Sequence, residues 1–154
     1  MEQTLVIVKP DGVNRGIIGE VIHRLERKGL KIVGMKMMHL SDELLDVHYE
    51  HHKSKPFFQK LKDFMKSAPS LLLVLEGNNV VEVVRMMAGP TRGYEAGPGT
   101  IRGDYSVSQQ HNIVHASDSP ENAEKEIKRF FHKDEIFSYK RIDWEMIYAV
   151  DERD

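Results

Sequence analysis

The sequence contains no cysteine and a single tryptophan in 154 residues. Without thiols there is no disulfide framework, no zinc–thiolate centre and no cysteine nucleophile. The lack also suits a reducing compartment. Long apolar runs are missing too. The first, Leu5–Val8, is only four residues long before Lys9 interrupts it. That is too short for a signal-peptide core or a membrane span. The expectation is a soluble, cytoplasmic chain with no membrane partner. An excess of either charge is absent: the formal net charge is −2 with histidine neutral. Such balance argues against an obligatory nucleic-acid partner. There is no internal repeat and no low-complexity tract.

Hydrophobic residues make up 40 % of the chain and charged residues 30 %. At this length that composition predicts one compact domain over residues 1–154, with 139–154 as a C-terminal tail. Leu5–Val8 reads as a buried strand ending in the turn chemistry of Lys9-Pro10-Asp11-Gly12. Ile18, Val21, Ile22 and Leu25 recur at helical spacing, with Gly29 as a stop. Residues 31–39 form a second strand candidate. Ser41 caps a helix carrying Leu44, Leu45 and His48 on one face, and Pro56 starts another with Phe57, Phe58, Leu61, Phe64 and Met65. Leu71–Leu75 is a third buried strand. Asn79 caps a helix bearing Val80, Val83, Val84 and Met87, which Gly89 ends.

From Gly89 to Asn112 periodicity is lost and glycines punctuate the chain. A loop this long inside a compact domain is usually functional. Ile113-Val114 gives a fourth short strand. Ser119 and Pro120 then open a helix whose Ala123, Ile127, Phe130 and Phe131 face inward. With the helical pair set aside the order is βαββαβ. This predicts an α+β, ferredoxin-like fold, a four-stranded antiparallel sheet with its helices on one face.

His115 stands directly after the fourth predicted strand, a place where a rigid element aims a side chain at an open edge. Neutral imidazole is a good nucleophile near neutral pH. Alone, such a histidine is more readily read as one satisfied in a turn. Glu126, about two turns into the next helix, can reach back and fix one ring nitrogen, or it is a solvated neighbour of Glu121 and Glu124. Lys9, Arg85 and Arg102 are cations of the kind that phosphoryl transfer needs around the equatorial oxygens. Tyr49, Phe57 and Phe58 could supply a stacking platform for a base. Gly12, Gly16 and Gly19 lack the Gly-Lys-Ser/Thr ending of a phosphate loop. His48, His51 and His52 have helical metal-ligand spacing without the glutamate a zinc protease needs, so no dedicated protein metal site is expected.

The segment Asn112-Ile113-Val114-His115-Ala116-Ser117-Asp118-Ser119 resembles the active-site signature of nucleoside diphosphate kinases. Thr4–Gly12 resembles the first strand of that family. His48-Tyr49, His52-Lys53 and Lys55-Pro56-Phe57-Phe58 resemble its helical pair, and Pro98–Asp104 resembles its loop. The motifs occur in order over roughly residues 3–138.

The resemblance implies a two-step exchange in which His115 takes the terminal phosphate of a nucleoside triphosphate and passes it to a diphosphate, with broad base tolerance. It implies that Glu126 holds the other ring nitrogen. Lys9, Arg85, Thr91, Arg102 and Asn112 would contact phosphates or sugar hydroxyls. Tyr49 would lie beside the phosphate, Ser117 would support the site and Phe57 would stack on the base. It further implies Mg2+ carried on the nucleotide phosphates and a homo-hexamer or tetramer. Two positions depart from the family pattern. Ala116 replaces a glycine after the histidine, and Thr91-Arg92-Gly93-Tyr94 lacks a proline commonly found in that loop. Two other readings share parts of this pattern: a phosphohistidine relay with a protein acceptor, and a non-catalytic ferredoxin-like binding module.

Overall fold

The computed structural model describes residues 1–153. Asp154, the last residue of the expected tail, lies outside them. Four strands, β1 (Glu2–Val8), β2 (Lys31–Met38), β3 (Ser70–Gly77) and β4 (Val114–Ala116), form one antiparallel sheet in the order β2-β3-β1-β4. This is the ferredoxin-like arrangement expected for βαββαβ.

Pleating sends alternate side chains of the central strands to opposite faces. Val6, Val8, Leu71, Leu73 and Leu75 pack against α2 (Ile18–Arg27) and α5 (Val80–Ala88). Leu5, Ile7, Leu72 and Val74 pack against α3 (Asp42–His48), α4 (Phe58–Lys66) and α7 (Pro120–Phe130). The sheet is therefore covered on both faces, not on one as the pattern suggested. The unbroken apolar runs Leu5–Val8 in β1 and Leu71–Leu75 in β3 have this cause, because both faces of those segments are buried.

Several boundaries differ from the sequence reading. Lys9–Gly12 is not a bare turn, because Pro10 opens a short helix, α1 (Pro10–Asn14), with its fixed φ at the first position. The second helix of the pair begins at Phe58, with Pro56 in the turn before it. The irregular stretch contains α6 (Ile101–Tyr105), capped by the Thr100 hydroxyl, which accepts from Gly103 N at 2.9 Å. Asn79 stands at the start of α5 in the left-handed region (φ 50°) and gives no side-chain cap. The Glu2 carboxylate takes its place, accepting from Val81 N at 2.9 Å. Ser41 and Ser119 cap α3 and α7 as expected.

The tail is bonded to the domain. The Tyr139 hydroxyl donates to Ile32 O at 2.7 Å, and Arg141 donates to Leu30 O at 3.0 Å. Within it α8 (Trp144–Ile147) sets Ile147 against Gly29, whose φ of +97° needs glycine.

Candidate active site

His115 lies in the middle of β4, not after it, opposite Ile7 of β1. Its side chain thus shares the Ile7 face of the sheet with α7 and α3. The sequence reading starts the strand one residue early and ends it two residues short because Ile113 looks β-forming, yet Ile113 has φ +73°. That conformation is strained for a β-branched residue. Its neighbours hold it there. The Asp11 carboxylate accepts from Ile113 N at 3.0 Å, and Lys9 N donates to Ile113 O at 2.8 Å. Gly12 leaves room for the bend, since a Cβ there would sit 3.3 Å from Ile113 O and 2.8 Å from a Val8 methyl.

The cap at Ser119 and Pro120 sets the phase of α7, and that phase turns Glu126 back toward β4. Glu126 Oε2 lies 3.0 Å from His115 Nε2 and accepts from the Ser117 hydroxyl at 2.6 Å. Ser117 is fully buried, and its oxygen also accepts from Leu5 N at 3.3 Å. Burial pushes the Glu126 carboxyl upward, but bonding to His115 and Ser117 outweighs it and holds the pKa below the ordinary value.

The cations gather on the same side. Lys9 is buried at the end of β1 and donates from Nζ to Asn112 Oδ1 and Gln110 O, both at 2.7 Å. One ammonium proton remains for another acceptor. Burial, with help from Arg102 and against Asp11, lowers the Lys9 pKa to about 8. Arg102 fastens α6 to the sheet by donating to Gly89 O and Val114 O, both at 2.7 Å. Burial and then Arg85 lower its pKa to about 10. Asn112 is a hub: its Oδ1 accepts a hydrogen bond from Lys9 and its Nδ2 donates to Thr91 O at 2.8 Å and Gln109 O at 2.9 Å. Lys9, Arg85, Thr91, Arg102, Asn112 and His115 all line one cavity of about 1180 Å3. That is ample for a mononucleotide.

Phe57 also lines the cavity, half-buried, with the His52 ring 5.2 Å away edge-on. Phe57 and Phe58 both pack against the core, and of the two Phe57 also borders the cavity. Tyr49 is buried in the cavity wall; burial, reinforced by Glu126, raises its pKa, so its hydroxyl stays a neutral donor. Apart from Phe58, every side chain expected in the site borders this cavity or, like Ser117, bonds a residue that does.

Sequence reasoning missed three contributors. Asp11 bonds the strained backbone two residues before His115. His48, read on the apolar face of α3, in a metal-ligand spacing and in the helical-pair motif, was given no part beside His115. Its ring stands edge-to-face with His115, with centroids 4.6 Å apart. Arg129 of α7 contacts His48 Nδ1 at 3.1 Å. The available signal was a histidine among leucines on a buried helix face. Among the described residues, His48, His115 and Glu126 are the only trio whose ligand atoms approach within 4.8 Å of one another. His51 and His52 do not join them.

A histidine on a rigid strand, gripped by a carboxylate and sharing a nucleotide-sized cavity with cations, defines a phosphotransferase on a ferredoxin-like sheet. Residues 2–136 match the family model described as nucleoside diphosphate kinase. The chain is 57 % identical over 152 residues to the nucleoside diphosphate kinase of Parabacteroides distasonis, covering 99 % of each. It is 53 % identical over 148 residues to that of Archaeoglobus fulgidus, covering 96 % of this chain and 98 % of the relative. Among solved structures, a halophilic nucleoside diphosphate kinase from Halobacterium salinarum in complex with CDP superposes with a TM-score of 0.94 at 45 % identity, over 96 % of this chain and 99 % of that one. A Babesia bovis family protein superposes with a TM-score of 0.93 at 41 % identity, over 96 % and 100 %.

The chain belongs to the nucleoside diphosphate kinase family. It moves the terminal phosphate of a nucleoside triphosphate to a nucleoside diphosphate through a phosphohistidine intermediate, chemistry that generally needs a divalent cation. No helix of the described residues is long and apolar enough to cross a membrane.

Proposed function

We propose that His115 carries the phosphate on Nδ1. One observation carries this reading: Glu126 occupies Nε2 at 3.0 Å. With its proton on Nε2 and directed at the carboxylate, the ring presents its lone pair at Nδ1. Nδ1 attacks the terminal phosphorus, the bond to the bridging oxygen breaks, and the diphosphate leaves with that electron pair. A second diphosphate then attacks through its own terminal oxygen and frees the imidazole. The attacking ring gains positive charge, which Glu126 stabilises.

Lys9, Arg85 and Arg102 would neutralise the phosphate oxygens. Tyr49 would donate to the transferring group, while Thr91 and Asn112 would hold phosphate or sugar oxygens. Phe57 would stack on the base, and stacking without base-edge bonds gives broad tolerance. Ser117 acts through Glu126. The divalent cation is read as Mg2+. The only trio of metal-ligating side chains among the described residues contains His115 itself. The cavity thus suits an ion riding on the nucleotide phosphates with water ligands, where it would offset phosphate charge.

We also read the enzyme as a single cytoplasmic domain that forms a homo-hexamer, or a tetramer. Exposed Met35 and Met37 on edge strand β2, with exposed Ile142 and Met146 in the tail, support burial against further copies. Light scattering coupled to size exclusion would decide the number. The site reading is tested by His115→Ala with labelled triphosphate. Loss of exchange by about 10^4-fold or more, with no acid-labile phosphate on a folded chain, is expected. Retained phosphorylation would overturn the assignment.

A further inference from the structure

The helix that carries Glu126 also carries a cation it ignores. On α7, Glu121 pairs with Lys125 and Glu124 pairs with Lys128. Glu126 and Arg129 stand at i,i+3, a spacing that normally brings such side chains together. They form no ion pair, and the ionic contacts of Glu126 are with His115 and His48. An arginine–carboxylate pair in a half-buried site would be strong and often bidentate. Something keeps the two apart.

His48 stands between them. Arg129 meets its Nδ1 at 3.1 Å, and Glu126 Oε1 lies 3.9 Å from the same nitrogen. The ring is wedged edge-to-face between Tyr49, His115 and Phe130, with centroids 4.7, 4.6 and 5.2 Å away. Its side chain is 1 % exposed. Burial first, then the neighbouring His115, lowers its pKa to about 2. The imidazole is therefore neutral. Because a guanidinium only donates, Nδ1 must be the acceptor. A metal ion at the trio His48, His115 and Glu126 would have to displace Arg129 from that lone pair.

We infer that His48 is a positioning residue that takes up the hydrogen bond of Arg129, keeps the guanidinium off Glu126, and so leaves Glu126 on the nucleophile. The inference rests on the reading of His115 as the phosphorylated group. Remove the spacer, and Arg129 is free to draw the carboxylate from His115 Nε2. The ring then loses its fixed tautomer and aim.

Four variants test this: His48→Ala, Arg129→Ala, the double variant, and His48→Asn, whose amide oxygen can still accept from Arg129. His48→Ala should lower kcat by about 10^2-fold, the scale of a nucleophile misplaced by an ångström, with KM for nucleotide shifting by less than about threefold. The double variant should regain about tenfold of that loss. His48→Asn should stay within about fivefold of the parent. A cavity at His48 lowers the melting temperature of the single and double alanine variants alike, so it cannot imitate recovery. A double variant no faster than His48→Ala, or an asparagine variant as slow as the alanine one, would overturn the spacer. Acid-labile phosphate persisting in His115→Ala would instead overturn the underlying reading, which keeps the two failures distinct.

Discussion

The Ser117 hydroxyl lies 2.6 Å from Glu126 Oε2, the oxygen that also faces the His115 ring nitrogen at 3.0 Å. Two groups on one segment of chain thus converge on one atom of α7. The carboxylate is held from the sheet side, and its freedom to rotate away from His115 is reduced.

Ser117→Ala should therefore lower kcat by about tenfold, because Glu126 keeps its charge but loses an anchor. Glu126→Gln should lower it by about 10^2-fold or more, because the stabilising charge is gone. Single-turnover phosphorylation measured by quench flow separates the two. A Ser117→Ala rate equal to that of the parent would show that the serine does not act through the carboxylate.

Lys9 sets a basic limit. Its pKa is lowered to about 8, chiefly by burial. The ammonium is present below that value and is lost as pH rises through it, so phosphate attraction is lost in the same window. The prediction is a fall in kcat/KM above about pH 8 that Lys9→Gln removes, at the cost of a lower plateau. A rate that keeps climbing well past pH 8 in the parent enzyme would contradict it.

Asp11 holds the backbone of Ile113 at φ +73°. Asp11→Ala leaves the Ile113 N–H without its partner, which should cost about 1–3 kcal/mol of stability. It also frees the residue two positions before His115. Activity at a temperature where the variant stays folded should fall by about tenfold as well. Denaturant unfolding and steady-state kinetics measure both. Full activity in a destabilised variant would confine Asp11 to folding.

Gly93 lies in the loop Thr91-Arg92-Gly93-Tyr94, which lacks the proline common there in the family. Its N–H donates to Ser108 O at 3.0 Å, and a Cβ would fall 2.5 Å from Ser106 O. Proline has no such donor, and no larger residue fits that approach. Gly93→Ala should reduce stability by about 1–3 kcal/mol through overpacking. A thermal melt unchanged by the alanine would show that the loop yields easily.

Much of this was legible in the chain. β1 and β3 declared themselves as unbroken apolar runs, and α7 by its serine cap, first-turn proline and inward stripe. His115, Glu126 and the cations carried a family pattern. The boundaries that failed did so for physical reasons. Ile113 looks like a strand residue until Asp11 and Lys9 bend it. Asn79 looks like a cap until Glu2, from the other end of the domain, supplies one.

Local pattern by itself determined the order of elements, the buried strands and the residue types able to do phosphoryl chemistry, because periodicity and capping depend on near neighbours. Tertiary structure alone decided that both faces of the sheet are covered, which ring nitrogen of His115 is taken, and that His48 separates Arg129 from Glu126. Those outcomes depend on register and side-chain direction between segments far apart in the chain, and no short window of sequence contains them.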